Sequence, residues 1–317
     1  MNHKAIVVVL MSYMNMLSSD IGHSAEATKA SAAQRILLKR PGTNYSDAES
    51  LRERLTSWNF QCDPQDHQQS FVCKGKVESY PEPIRIYIPK SYKKNSKRLA
   101  IHFHGNNSTS TSRDNSVHFS DNRADFNRWL QESDSDNLLI LPDSLGWTKT
   151  YDTHFPSSNP AAAASNFDKF IDSIEEATGS EIHTISLSAH SGAYRTVGAL
   201  SLAESTRLSQ IDAVGLFDAV YGRASQLSNW ISKLKARGGL FQVVFVENGT
   251  TLNSGPGDQR ELNSILQRQG VVPREYKSGQ PTASLSLQYT KSSHMDVLKE
   301  QRYTDFLRSI KTLRERR

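Results

Sequence analysis

A serine, two acids and a histidine stand where apolar runs of this chain end. Ser191 follows Ile185-Ser186-Leu187-Ser188-Ala189-His190 and leads into Gly192-Ala193-Tyr194-Arg195. Asp218 closes the run from Ala213, and Glu247 closes the run from Leu240 to Val246. His294 lies just beyond Leu285 to Tyr289, in Lys291-Ser292-Ser293-His294-Met295-Asp296. A serine hydroxyl is a weak nucleophile until a histidine takes its proton, and that histidine needs a carboxylate to hold its tautomer and stabilise the imidazolium. The chain order Ser, Asp, His is the one found when such a relay is carried by a parallel sheet.

The residues around Ser191 fit a nucleophile at a sharp strand-to-helix turn. Ala189 and Ala193, two before and two after, are small, as a strained turn without room for large side chains requires. The same Ser-Gly pair would also suit a plain helix N-cap. An acid closing an apolar strand is costly without a charged partner, which selects Asp218 to orient His294 and leaves Glu247 as the alternative acid. Other candidates are weaker. Ser188 lacks small flanking residues and is expected to point inward. His102 and His104 would face one side of a strand and could ligate a metal, but no Asp-His continuation follows, so neither a metal nor another cofactor is expected. Asp296 is accounted for by charge complementarity at a helix start.

The elements that must position these groups follow from the hydrophobic period. Ser46 opens a helix with Leu51, Leu55 and Trp58 at helical spacing, and Ile84, Ile86 and Ile88 alternate between prolines as an edge-like strand. Strands are then expected at Arg98 to His104, Asn137 to Pro142, Ile185 to His190, Ala213 to Asp218, Leu240 to Val246 and Leu285 to Tyr289. Amphipathic helices are expected at Val117 to Gln131, Asn166 to Ala177 and Gly192 to Ala203. Further helices carry Leu227, Trp230, Ile231 and Leu234; Leu262, Ile265 and Leu266; and Tyr303, Phe306, Leu307 and Ile310. Six strands alternating with helices predict an α/β fold with a mostly parallel central sheet and helices on both faces, its ligands at the carboxyl ends of the strands. Two loops on that rim stand out. Gly105 to Ser116 is rich in Asn, Ser and Thr, and Asp143 to Asn159 carries Trp147, Tyr151 and Phe155 as exposed-looking aromatics.

With His104-Gly105 after the first parallel strand, Ser191 at the elbow, Asp218 after a later strand and His294 before the final helix, the chain resembles the α/β-hydrolase superfamily over roughly Ile84 to Ile310. The alanines at 189 and 193 stand where that superfamily most often has glycines, and its commonest acid location would favour Glu247. The resemblance implies an oxyanion hole from the backbone N–H of Gly192 and of Gly105 or Asn106. It implies a serine hydrolase cleaving an ester or amide through an acyl-enzyme, without a cofactor. Asn107, Trp147 and His190, the last beside the nucleophile, are the expected substrate contacts. The substrate would be a small molecule or polymer, and anionic envelope material fits the basic charge. The alternative is a non-catalytic binding protein on a hydrolase scaffold.

Composition sets the remaining bounds. The 317 residues are 37% hydrophobic and 22% charged with a formal net charge of +5, which suits a folded chain with a modest, scattered positive surplus. No basic run is interleaved with aromatics, so no nucleic-acid partner is expected. Met1 to Lys4 is basic, Ala5 to Leu17 mostly apolar, and Ala25-Glu26-Ala27 offers a cleavage site. These three features predict a signal peptide over 1–27, with a secreted or periplasmic location, rather than a membrane span. Residues 28–45 read as a poorly ordered leader, and 46–317 as a single domain beginning with a segment tied by Cys62 and Cys73. In an oxidising compartment that pair would form a disulfide, stabilising the fold by roughly 3 kcal/mol in the loop-entropy model.

Overall fold

A computed structural model describes residues 46–65, 69–105, 125–144, 149–246, 258–279, 283–299 and 301–316. The expected signal peptide and leader lie outside these, and so does most of the helix expected from Val117. Among the described residues the strands are β1 (Gln61–Gln65), β2 (Ser70–Gly75), β3 (Ile84–Ile88), β4 (Arg98–Phe103), β5 (Leu138–Pro142), β6 (Thr184–His190), β7 (Ile211–Phe217), β8 (Leu240–Val246), β9 (Arg274–Glu275) and β10 (Leu285–Thr290). They form one sheet in the order β1-β2-β3-β5-β4-β6-β7-β8-β10-β9. Neighbours from β5 to β10 run parallel, whereas β1, β2, β3 and β5 pair antiparallel. The helices are α1 (Asp47–Ser57), α2 (Phe126–Glu132), α3 (Lys149–His154), α4 (Pro160–Thr178), α5 (Tyr194–Ser201), α6 (Thr206–Ser209), α7 (Ala224–Ala236), α8 (Asp258–Arg268) and α9 (Arg302–Glu315).

The central strands β4 to β8 are buried along nearly their whole length because both faces are covered. Along β5, Leu138 and Ile140 join the core beneath α1, α4, α5, α7 and α8, whereas Leu139 and Leu141 join a second core beneath α2 and α9. β8 divides the same way, with Phe241, Val243 and Phe245 on the first side and Leu240, Val244 and Val246 on the second. This is the period-two alternation of a strand. Each such side chain contributes about 1.5–3 kcal/mol when fully buried. Local signals set the helix ends. Ser46 accepts from the Glu49 N–H and Glu49 answers the Ser46 N–H, a capping box that starts α1. Asn159 caps α4 ahead of Pro160, and Gly179 ends it at φ +66°, where a side chain would be strained. Ser46–Arg317 is one compact unit. No helix among the described residues is long and apolar enough to cross a membrane.

Two expectations are corrected. The strand at Ile84–Ile88 is not an edge: it lies between β2 and β5, with Ile84, Ile86 and Ile88 fully buried. The reason is that the segment tied by Cys62 and Cys73 contains the hairpin β1–β2, which extends the sheet outward. Cys62 and Cys73 face each other across that hairpin and are disulfide-bonded. Tyr151 and Phe155 are not exposed either. They are 0% and 1% accessible, because the region read as one long loop folds α3 back over Phe103, whose ring both of them meet edge-on. Finally, β9 and α6 are too short to leave a periodic signal in the sequence.

Candidate active site

At the end of β6 the chain turns sharply at Ser191. Ser191 has φ +52°, a left-handed conformation costly to a side-chain-bearing residue by about 1–3 kcal/mol, and a single 3₁₀ turn over Ser191–Ala193 then feeds α5. Ala189 and Ala193 are fully buried on either side. Gly105, two residues past β4, lies against the turn. A Cβ placed on it would stand 2.5 Å from Ser191 Cβ and 3.2 Å from Ser191 Oγ. The absence of a side chain at 105 is what lets two backbone segments meet at the serine.

The next parallel strand along the sheet supplies the acid. Asp218 follows β7 directly, has φ +43° and is 0% accessible. Its N–H donates to the Val244 carbonyl at 2.6 Å, and its Oδ1 accepts from the Val246 N–H at 3.3 Å, so β8 fixes the carboxylate. His294 begins a 3₁₀ turn between β10 and α9. Its Nε2 lies 3.0 Å from Ser191 Oγ, and its Nδ1 is hydrogen-bonded to Asp218 Oδ2. Ser191, His294 and Asp218 are thus joined in one hydrogen-bonded series, in which Oγ is the group able to lose a proton and Nε2 the group able to take it.

Supporting contacts come from residues the sequence reading gave no part in the site or a different one. The Tyr221 hydroxyl donates to Asp218 Oδ2 at 3.3 Å and lies 3.1 Å from His294 Nδ1. Arg302, 2% accessible, donates to Thr290 Oγ1 at 2.6 Å, to Ser292 Oγ at 2.7 Å and to the carbonyls of Asp296 and Lys299 at 3.1 and 3.2 Å. It therefore ties together both sides of the loop that carries His294. His190, an expected substrate contact, is 4% accessible; its Nε2–H donates to the His294 carbonyl at 3.1 Å, and the two rings lie 4.8 Å apart. Burial, and next the neighbouring His294, push His190 down to about 4, so it is neutral near pH 7.

The remaining candidates separate into two groups. Asn106, Asn107, Trp147 and Glu247 lie outside the described residues. Ser188 points inward, donating to the Ile101 carbonyl at 3.3 Å beside His102 Nδ1 at 2.9 Å. His102 and His104 do not share a side. His102 packs on Phe126 and Tyr303, whereas His104, past the strand end, meets Tyr151. Among the described residues no three His, Cys, Asp or Glu side chains come together as a metal site.

No protein-family model matches the chain. No curated protein matches it either. Several solved structures are similar to it at low identity. A ferulic acid esterase is 13% identical, with a TM-score of 0.48 over 77% of this chain and 99% of its own. An S-formylglutathione hydrolase from Agrobacterium tumefaciens is 10% identical, with a TM-score of 0.46 over 78% and 95%. An arylesterase is 16% identical, with a TM-score of 0.44 over 84% and 90%. Likenesses this distant carry no activity across. The strand order does carry the architecture: seven parallel strands open to antiparallel pairing at one end, with a serine turned sharply between β6 and α5, are the framework of the α/β-hydrolase fold.

Proposed function

We propose that this protein is a serine hydrolase that cleaves a carboxylic ester or amide through an acyl-enzyme, with Ser191 as nucleophile, His294 as base and Asp218 as the acid that orients it. The observation that carries this reading is the hydrogen-bonded series from Ser191 Oγ through both nitrogens of His294 to a fully buried Asp218. As Ser191 Oγ bonds to the substrate carbonyl carbon, its proton passes to His294 Nε2, and the imidazolium is stabilised by Asp218. Collapse of the tetrahedral intermediate breaks the bond to the leaving group, which takes that proton. Water, deprotonated by the same nitrogen, then attacks the acyl-serine; the bond from the acyl carbon to Oγ breaks, Oγ takes back the proton from Nε2, and the acid is released. The Gly192 N–H and one from Gly105 or Asn106 hold the oxyanion, each contributing about 3 kcal/mol to the transition state.

The substrate is a small-molecule or polymeric ester or amide, and anionic envelope material fits the positive net charge of +5. Export to an oxidising compartment is supported by the Cys62–Cys73 disulfide and by the basic, apolar and A-x-A order of residues 1–27. A fluorophosphonate probe tests the reading directly. The expected outcome is covalent labelling of the native protein and none of Ser191→Ala, accompanied by hydrolysis of at least one member of a panel of short- and long-chain esters and peptide amides. An unlabelled native protein would leave only the binding-protein alternative.

A further inference from the structure

The turn after β7 brings a phenol to the far side of the proposed relay. Asp218 and Tyr221 are three residues apart in Asp218-Ala219-Val220-Tyr221, with Ala219 and Val220 at 0% and 1% accessibility anchoring the turn. The left-handed φ of +43° at Asp218 folds the chain back so that the residue three positions on meets the carboxylate. The Tyr221 hydroxyl donates to Asp218 Oδ2, the same oxygen that receives His294 Nδ1, and itself lies 3.1 Å from that nitrogen. The Tyr221 ring meets the His294 imidazole edge-on at 6.0 Å, and the Tyr194 ring lies 6.0 Å from it on another side.

We propose that Tyr221 is a positioning residue, acting on His294 through Asp218; this rests on the reading of Ser191, His294 and Asp218 as a relay. One O–H donated to Oδ2 fixes the direction in which that oxygen faces the imidazole. The phenol oxygen offers the Nδ1–H a second acceptor, so the proton is shared between carboxylate and hydroxyl. When Ser191 gives its proton to Nε2, the positive charge that forms on the ring meets both. The ring stays in the plane that keeps Nε2 within reach of Oγ. Nothing here bonds to substrate, so the hydroxyl acts on the chemical step and not on binding.

Tyr221→Phe keeps the ring and removes only the hydroxyl. The expected result is a fall in kcat of about 10- to 100-fold, the range for losing a hydrogen bond to a charged group, with KM unchanged. The effect must pass through the carboxylate, so in an Asp218→Asn background the same substitution should change the fluorophosphonate labelling rate by less than about 2-fold. A separate readout needs no turnover: the downfield proton resonance of His294 Nδ1–H should move in Tyr221→Phe while the remaining spectrum stays in place. Equal losses in both backgrounds, an unchanged kcat, or an unmoved resonance would each overturn the role given to Tyr221. Failure of the native protein to react with the probe, alongside a shifted resonance in Tyr221→Phe, would instead overturn the hydrolase reading while leaving the hydrogen-bonded arrangement intact.

Discussion

Gly105 is a case in which one missing carbon decides whether two loops can meet. Its backbone rests against Ser191 so closely that an added Cβ would overlap the serine Cβ at 2.5 Å. Gly105→Ala is therefore expected to displace the serine or the loop by a sizeable fraction of an ångström. A misplacement of about 1 Å costs on the order of 10²-fold in rate. The measurement is the fluorophosphonate labelling rate beside the melting temperature. A large fall in rate with a melting temperature near that of the native protein places the effect at the serine, and an unchanged rate would contradict the contact. At this scale the sequence was informative about residue types and poor about partners. Ser191, Asp218 and His294, which hydrogen bonds join in the fold, stand out in the sequence because each closes or follows an apolar run. Tyr221 could not, because its hydroxyl acquires a role only once the turn after β7 has a defined hand. Arg302 reads as an ordinary solvated cation until the loop it holds is seen around it.

Among the elements, the connection from β10 to α9 has no regular hydrogen-bond ladder to hold it. The buried guanidinium of Arg302 takes that part, reaching Thr290 and Ser292 on one side of His294 and the carbonyls of Asp296 and Lys299 on the other, with the Tyr276 ring 5.0 Å away. Arg302→Met would fill much of the volume but remove those hydrogen bonds. We expect a loss of about 3 kcal/mol in stability by urea unfolding, faster amide hydrogen exchange across 291–299, and a fall in labelling rate larger than that of the distant control Arg237→Met. Exchange unchanged in that loop would rule out the clamp. The elements themselves were legible in proportion to how apolar they are. Leu138–Pro142 and Leu240–Val246 read as strands because they are covered on both faces. Gln61–Gln65 is polar, holds a proline and is covered by a partner on one side only, so its pairing left no period to read. Tyr151 and Phe155 depart from expectation for the opposite reason: their loop carries no helical period, so nothing in it marks α3 as folding inward.

For the molecule as a whole, two buried histidines set a limit on acid tolerance. His102, fully buried, is held well below its ordinary value by desolvation and then by the nearby His190 and His104. His190 is pushed down to about 4, again chiefly by burial. Both are depressed in the folded state, so the unfolded chain takes up protons first. Stability is complete above about pH 6.5 and is lost as pH falls below it, the His190 share until about pH 4, by up to about 1.4 kcal/mol per pH unit for each histidine while it stays neutral in the fold. Urea unfolding followed from pH 7 to pH 4 should show this decline, and His190→Gln should make it shallower. A flat profile across that window would mean that neither histidine is neutral in the fold.

The hairpin at the start of the sheet also governs how the protein behaves toward other strands. Cys62 and Cys73 are opposite one another with their Cα atoms 3.9 Å apart, the close spacing of a pair that exchanges no backbone hydrogen bonds, so the Cys62 N–H faces away from β2. Pro64, two residues on, has the same orientation and no N–H to offer. An incoming extended peptide would thus find a gap in the row of donors it needs, on a border whose register the cross-link prevents from slipping. The ten-stranded sheet is thereby guarded at this margin against templating its own growth into aggregates.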